Sequence, residues 1–209
     1  MLPKTNKTQE EKTGLEQSEY KTIFLAVGLI GILLLSYPSL ILFLKPSNDT
    51  QFSELYLLGS DKKAQNYPFN IIPNKEYSVF AGLTNHLQKT TYYMVSIKLL
   101  NTIDPLPKQA TNPQQPLYTI RFILAPEQKT ETLLKFSIEQ LIFSNTEATI
   151  IDFNINGQTH QVNKSTVWNS TKSTFAYNLV FELSIYQENT ETFEYQNQFV
   201  SLNFNATKS

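Results

Sequence analysis

The stretch FAYNLVFELSI, Phe175 to Ile185, decides the fold. Phe175, Tyr177, Leu179, Phe181, Leu183 and Ile185 are apolar at every second position, with Asn178, Glu182 and Ser184 between them. A period of two places one set on each side of an extended chain, so the stretch reads as a strand with one buried face, central in its sheet.

The same alternation recurs on either side. Tyr93, Val95, Ile97 and Leu99 alternate with Met94, Ser96 and Lys98. Further sets are Val79, Ala81, Leu83; Tyr118, Ile120, Phe122, Leu124; Leu134, Phe136, Ile138; and Ile151, Phe153, Ile155. Turn signals separate them: Pro73-Asn74, Asn156-Gly157 and the segment from Glu188 to Thr192. Asn156-Gly157 is the sharpest, because a two-residue type I′ turn needs positive φ at both positions. It predicts a hairpin pairing about Thr149 to Ile155 with Gln158 to Val162. Asp104 to Pro116 carries Pro105, Pro107, Pro113 and Pro116 and cannot continue a ladder, so it reads as a long loop crossing outside the sheet. Near the C-terminus the apolar phase slips between Tyr195, Phe199 and Val200, Leu202, Phe204, and a bulge near Gln198 would repair it. Seven to nine strands with no long amphipathic helix among them predict an all-β, immunoglobulin-like antiparallel β-sandwich.

A different pattern precedes this body. Thr22 to Leu44, TIFLAVGLIGILLLSYPSLILFL, contains no charge and lies between Lys21 and Lys45. At about 1.5 Å per residue it would cross a hydrocarbon core of about 30 Å, so it reads as a single transmembrane α-helix with a kink near Ser36 to Pro38. The run exceeds a signal-peptide core, and neither Ser36 nor Ser39 makes a small-residue cleavage site, which favours an uncleaved signal-anchor. Lys4, Lys7, Lys12 and Lys21 precede it, so the expected orientation is N-terminus cytoplasmic and C-terminal domain extracellular. The expected organisation is a disordered polar tail at 1–21, the span at 22–44, a linker at 45–50, the ectodomain at 51–205 and a short tail at 206–209.

Composition narrows the chemistry. A net charge of −1 and one arginine, Arg121, give no basic surface for nucleic acid. No cysteine is present, so disulfides and thiolate metal sites are excluded and the outer body must stand on packing alone. The two histidines, His86 and His160, are too few for zinc without a carboxylate such as Asp152, and each reads as a strand-end or surface imidazole. Asn85-His86 follows a strand and suggests a turn closed by the Asn side chain. No GxSxG, HExxH or phosphate loop occurs, so no catalytic, cofactor or metal residue is assigned and no enzyme is expected. Asn48, Asn163, Asn169 and Asn205 begin sequons and are candidate glycosylation sites, two of them flanking Trp168. Trp168 sits in the polar loop Asn163 to Thr174, where its indole either contacts a sugar or partner or folds back as a lid on the sandwich.

The blocks FSELYLLG (Phe52 to Gly59), NYPFNI (Asn66 to Ile71), YSVFAGLTNH (Tyr77 to His86) and YYMVSIKLLN (Tyr92 to Asn101) resemble an archaeal membrane-anchored family known as domain of unknown function 1616. LVFELSIYQ (Leu179 to Gln187) and EYQNQFVSLNFN (Glu194 to Asn205) are similar to that family's closing strands. The resemblance implies an archaeal envelope protein with one or more membrane helices and an external β-sandwich, and carries no catalytic residue across. Together these readings lead to a non-catalytic module held by the bilayer through residues 22–44 and binding an envelope protein or glycan. The alternatives are an accessory subunit of a larger membrane complex, with the helix supplying the contact, and a hydrolase.

Overall fold

The computed structural model describes residues 17–44 and 51–207, with side chains in the first segment described from 20 to 35. The chain divides into two units, Met1–Thr50 and Gln51–Ser209. Asn48 and the linker at 45–50 lie outside the described residues, as do the side chains at the expected kink.

The first unit holds one helix, α1 (Gln17–Leu44), on which Phe24, Leu25 and Leu35 are among many exposed apolar side chains. Among the described residues no helix is long and apolar enough to cross a membrane.

The second unit is built from strands β1 (Ser53–Leu58), β2 (Asn70–Ile71), β3 (Tyr77–Asn85), β4 (Thr91–Leu100), β5 (Tyr118–Leu124), β6 (Lys129–Phe143), β7 (Glu147–Ile155), β8 (Gln158–Val167), β9 (Ala176–Gln187) and β10 (Thr192–Ala206). Two five-stranded sheets result, ordered β1-β3-β6-β7-β8 and β2-β10-β9-β4-β5. Their facing rows make one core, with Leu83, Leu134, Phe136 and Phe153 from the first sheet and Tyr93, Ile97, Leu179, Phe181 and Phe204 from the second. Tyr177 ties the sheets across that core, its hydroxyl donating toward Ala148 O (2.6 Å) and Lys164 O (3.1 Å). Burial pushes that phenol well above its ordinary value.

The strand stretch quoted first lies in β9 from Ala176 onward, between β10 and β4, as its apolar content demands. Asn156 (φ 48°) and Gly157 (φ 82°) close the β7–β8 hairpin, which extends beyond the expected residues to pair Glu147 with Val167. The slip in β10 falls between Tyr195 and Phe199, where Asn197 takes a left-handed φ of 54°.

Four expectations need correction. Ten strands form among the described residues, against the seven to nine expected. The short β2–β10 pairing is parallel, so the sandwich is not wholly antiparallel. Irregular pairing between Ile150 and Asp152 shifts the phase of β7, so Ile150, and not Ile151, shares the core with Phe153 and Ile155. Finally, Ser96, Lys98, Glu182 and Ser184, read as the solvent face, are buried. For Lys98 and Glu182 the physical reason is the segment 101–116, which returns over the outer face of β4 and β9 and removes that pair from water.

Candidate binding surface at the 101–116 loop

A loop with four prolines has few backbone bonds of its own and needs an external fixing point. That point is a buried ion pair: Lys98 Nζ on β4 lies 2.8 Å from Glu182 Oε2 on β9, at 5% and 1% residue exposure. Both charges also hold the loop. Lys98 donates to Asn112 O (2.6 Å), and Asn112 N–H donates to Glu182 Oε1 (3.0 Å). Asn112 then braces the loop from within, donating from Nδ2 to Pro105 O (2.8 Å) and accepting from Gln114 N–H (2.9 Å). The Tyr195 hydroxyl donates to Pro107 O. Its phenol is pushed up to about 12, chiefly by burial and then by the negative charge of Glu182.

The first turn of the loop is fixed separately. Asn101 Oδ1 accepts from the N–H groups of Ile103 and Asp104 (3.0 Å each), while Asp104 Oδ2 accepts from Asn101 N–H (2.9 Å). Burial is the largest single influence on Asp104 and disfavours its charge. The Asn101 N–H and the Lys164 ammonium, 2.9 Å away, together outweigh it and hold the carboxyl below its ordinary value. The loop also crosses the outer edge of β8: Asn101 Nδ2 donates to Ser165 O (2.8 Å), and the Thr102 and Thr166 hydroxyls lie 3.4 Å apart.

Exposed apolar side chains follow each side of this crossing in sequence. Ile103 is 86% exposed, and Val167, next to Thr166, is 57% exposed. Trp168 follows. Its ring packs on Phe175 (centroids 4.9 Å apart), which packs on Phe143 (5.4 Å), yet the residue remains 42% exposed. The indole therefore covers the sandwich end in part and is open to solvent in part. Asn163 is exposed and left-handed (φ 46°) near the β7–β8 irregularity, and Asn169 is half-buried, its Oδ1 accepting from Lys172 N–H (3.0 Å). Asn205 is a correction. It is buried, with Nδ2 donating to Asn70 Oδ1 (3.0 Å) and Oδ1 accepting from Phe175 N–H (2.8 Å), so a glycan on Nδ2 does not fit the folded chain.

The histidines are not brought together. His86 stacks on Phe52 (4.6 Å), with Nδ1 2.9 Å from Glu127 Oε2, while His160 sits opposite Phe153. Among the described residues no group of three metal-ligating side chains forms. The expected turn at Asn85 is present, Oδ1 accepting from Leu87 N–H (2.9 Å), and the same amide also donates to Leu124 O (2.8 Å). At the other end of the sandwich Gln51, Gln187, Gln196 and Gln198 line a cleft of about 580 Å³ with Phe52 and Lys89, two of these glutamines aimed by the β10 bulge.

The strand blocks read from sequence stand here as β1, β2, β3 and β4, and a family model confirms what they resemble. Its description is "Domain of unknown function (DUF1616)", and it matches residues 46–147. That match spans 102 of the 209 residues. The DUF1616 match ends at the first residue of β7, so Lys98 and the whole 101–116 loop fall inside it, while Glu182 and Trp168 fall outside. No curated protein matches the chain in sequence. Among solved structures, the chain is similar to the CARDB domain of the PF1109 protein from Pyrococcus furiosus, solved with di-metal ions. The identity is 9%, the TM-score 0.36, and 75% of this chain and 90% of that chain are covered. It is also similar to part of a beta-glucosidase from Listeria innocua in complex with isofagomine, at 7% identity and TM-score 0.37, covering 77% of this chain and 17% of that one. Neither likeness assigns a site to this chain.

Proposed function

We propose that this chain is a non-catalytic binding module whose partner is a protein of the cell envelope, engaged at the end formed by Ile103, Val167 and Trp168. The observation that carries this is the exposure of all three where the loop held by the buried Lys98–Glu182 pair crosses the end of β8. An exposed apolar group on a rigid support suits a protein partner, because little ordering entropy is lost when it is covered. The sandwich is immunoglobulin-like in this reading, a type that presents binding loops at its ends.

The tether is the uncharged run Thr22 to Leu44, carried on α1, whose described side chains from 20 to 35 include many exposed apolar ones. The body then lies outside the cell membrane and the amino end within, the arrangement favoured by the preceding lysines. Asn163 and Asn169 are the sequons placed to carry glycans beside Trp168. A glycan ligand is the second reading, favoured by the amide-lined cleft at Phe52, whose side-chain amides match sugar hydroxyls.

A photo-crosslinking residue at position 103, compared with one at Gln158 on the hairpin, tests the protein reading in native membranes. A discrete adduct from 103 alone, lost on Trp168→Asp, supports it. Equal labelling at both positions, or none at 103, overturns it.

A further inference from the structure

An open sheet has two edges, and each edge strand offers unpaired N–H and C=O groups to any extended chain. Three of the four edges here are guarded by side chains. On β1 the Tyr67 hydroxyl donates to Leu57 O (2.8 Å). Beside β2 the Tyr77 hydroxyl accepts from Ile72 N–H (3.0 Å) and donates toward Asn70 O (3.2 Å). On β8 the Asn101 amide takes Ser165 O, and the pairing with β7 is irregular.

The fourth edge, β5, has none of these devices. Its sequence YTIRFIL holds no proline, its pairing with β4 is unbroken over seven residues, and among the described residues no side chain bonds across its open side. Its one charge does not guard the edge, because the Arg121 guanidinium lies over the Phe193 ring, 5.9 Å from the centroid. The outer face beside it is apolar: Ile123 is 68% exposed, next to a cluster of Tyr92, Tyr186 and Phe193. On the inner face Tyr118, Ile120 and Phe122 are only half-buried, so the core is incompletely covered on this flank.

The backbone direction follows from the other end of the same sheet. Asn205 and Thr207 donate their N–H groups to Phe69 O and Ile71 O beside β2. Successive strand residues point these groups to opposite sides, and carrying the alternation through the β10–β9, β9–β4 and β4–β5 registers leaves Thr119, Arg121 and Ile123 facing the open side.

We propose that β5 pairs antiparallel with β5 of a second copy of this chain about a two-fold axis, joining the two β5-containing sheets into one continuous sheet. A register centred on Arg121 sets two guanidinium groups face to face and is disfavoured. Slipping toward Leu124 calls on Ala125, whose N–H is already bonded to Gln128 Oε1 and whose carbonyl accepts from Asn85. Slipping the other way sets Ile120 opposite Ile120, Tyr118 opposite Phe122 and Arg121 opposite Thr119. That register extends the half-buried inner face without opposing like charges.

Sedimentation of the full chain in detergent micelles from ~1 to ~100 µM tests this. The expected result is a reversible dimer that Arg121→Pro weakens by at least about tenfold with little change in thermal midpoint, since the lost N–H faces outward and not toward β4. The absence of cysteine gives a second readout: oxidised Ile120→Cys should form a disulfide-linked dimer and Ile123→Cys should not. A chain that stays monomeric, a dimer unaffected by Arg121→Pro, or crosslinking through position 123 in place of 120 overturns the proposal.

Discussion

Replacing Lys98 by Met keeps an unbranched side chain one atom shorter and removes the ammonium paired with Glu182 beneath the 101–116 loop. The carboxylate then keeps one donor, Asn112 N–H at 3.0 Å, in a site at 1% exposure. Breaking one side of a buried pair costs about 3 to 5 kcal/mol. A loss near 4 kcal/mol in a body of this size lowers the thermal midpoint by about 8 to 16 °C. Lys98→Met/Glu182→Gln should recover more than half of this. The double variant carries no buried charge, and the Gln amide is able to accept from Asn112 N–H and donate to Asn112 O. Urea titration followed by Trp168 fluorescence measures each variant. A loss below about 1 kcal/mol for Lys98→Met, the size expected of a surface pair, would refute the reasoning.

Other outcomes follow from the same contacts. Asp104, held below its ordinary value, contributes stability that is present above that value and disappears as pH falls through its depressed one. Asp104→Asn should therefore lose about 1 to 2 kcal/mol at pH 7 and flatten the acid limb of a pH–stability curve below about pH 4. A Cβ on Gly59 would stand 2.1 Å from the backbone oxygen of Gln65 in the turn that precedes Tyr67. Gly59→Ala should cost about 1 to 3 kcal/mol and raise amide exchange at Leu57 and Leu58, as read by mass spectrometry. Trp168, the sole tryptophan, should be quenched by acrylamide in the folded chain to an extent between a buried and a free indole, and full protection would contradict its half-open position.

Much of the sandwich was legible because period-two alternation reports one buried face directly. β3, β4 and β9 appeared that way, Asn156-Gly157 was marked by residue types that accept positive φ, and the β10 bulge by a slip in the apolar phase. Lys98 and Glu182 were misread because the rule assumes that the second face meets water, whereas a loop remote in sequence from Glu182 covers it. A signal was present: Leu100 shares its side of β4 with Lys98, and Val180 its side of β9 with Glu182, and apolar residues flanking a charge on the supposed wet face foretell a cover. The displaced phase of β7 had no comparable mark, since Ile150 and Ile151 are chemically identical and only pairing decides which one faces inward. Asn205 misled for a related reason: a sequon motif carries no information on burial, and this amide is spent on Asn70. Trp168 could be read as an apolar residue in a polar loop, but the crossing of β8 by Asn101 and Thr102 nearby is a product of the fold.

The rigid loop over the buried pair is the claim from which the binding surface follows, and native-state hydrogen exchange at Asn112 tests it most directly. The Asn112 amide, bonded to Glu182 in a buried site, should exchange only by openings nearly as costly as global unfolding, far more slowly than the exposed Gln109 and Ala110. Exchange at Asn112 as fast as at those neighbours would show a loop that lifts freely from the sheet and would contradict the account.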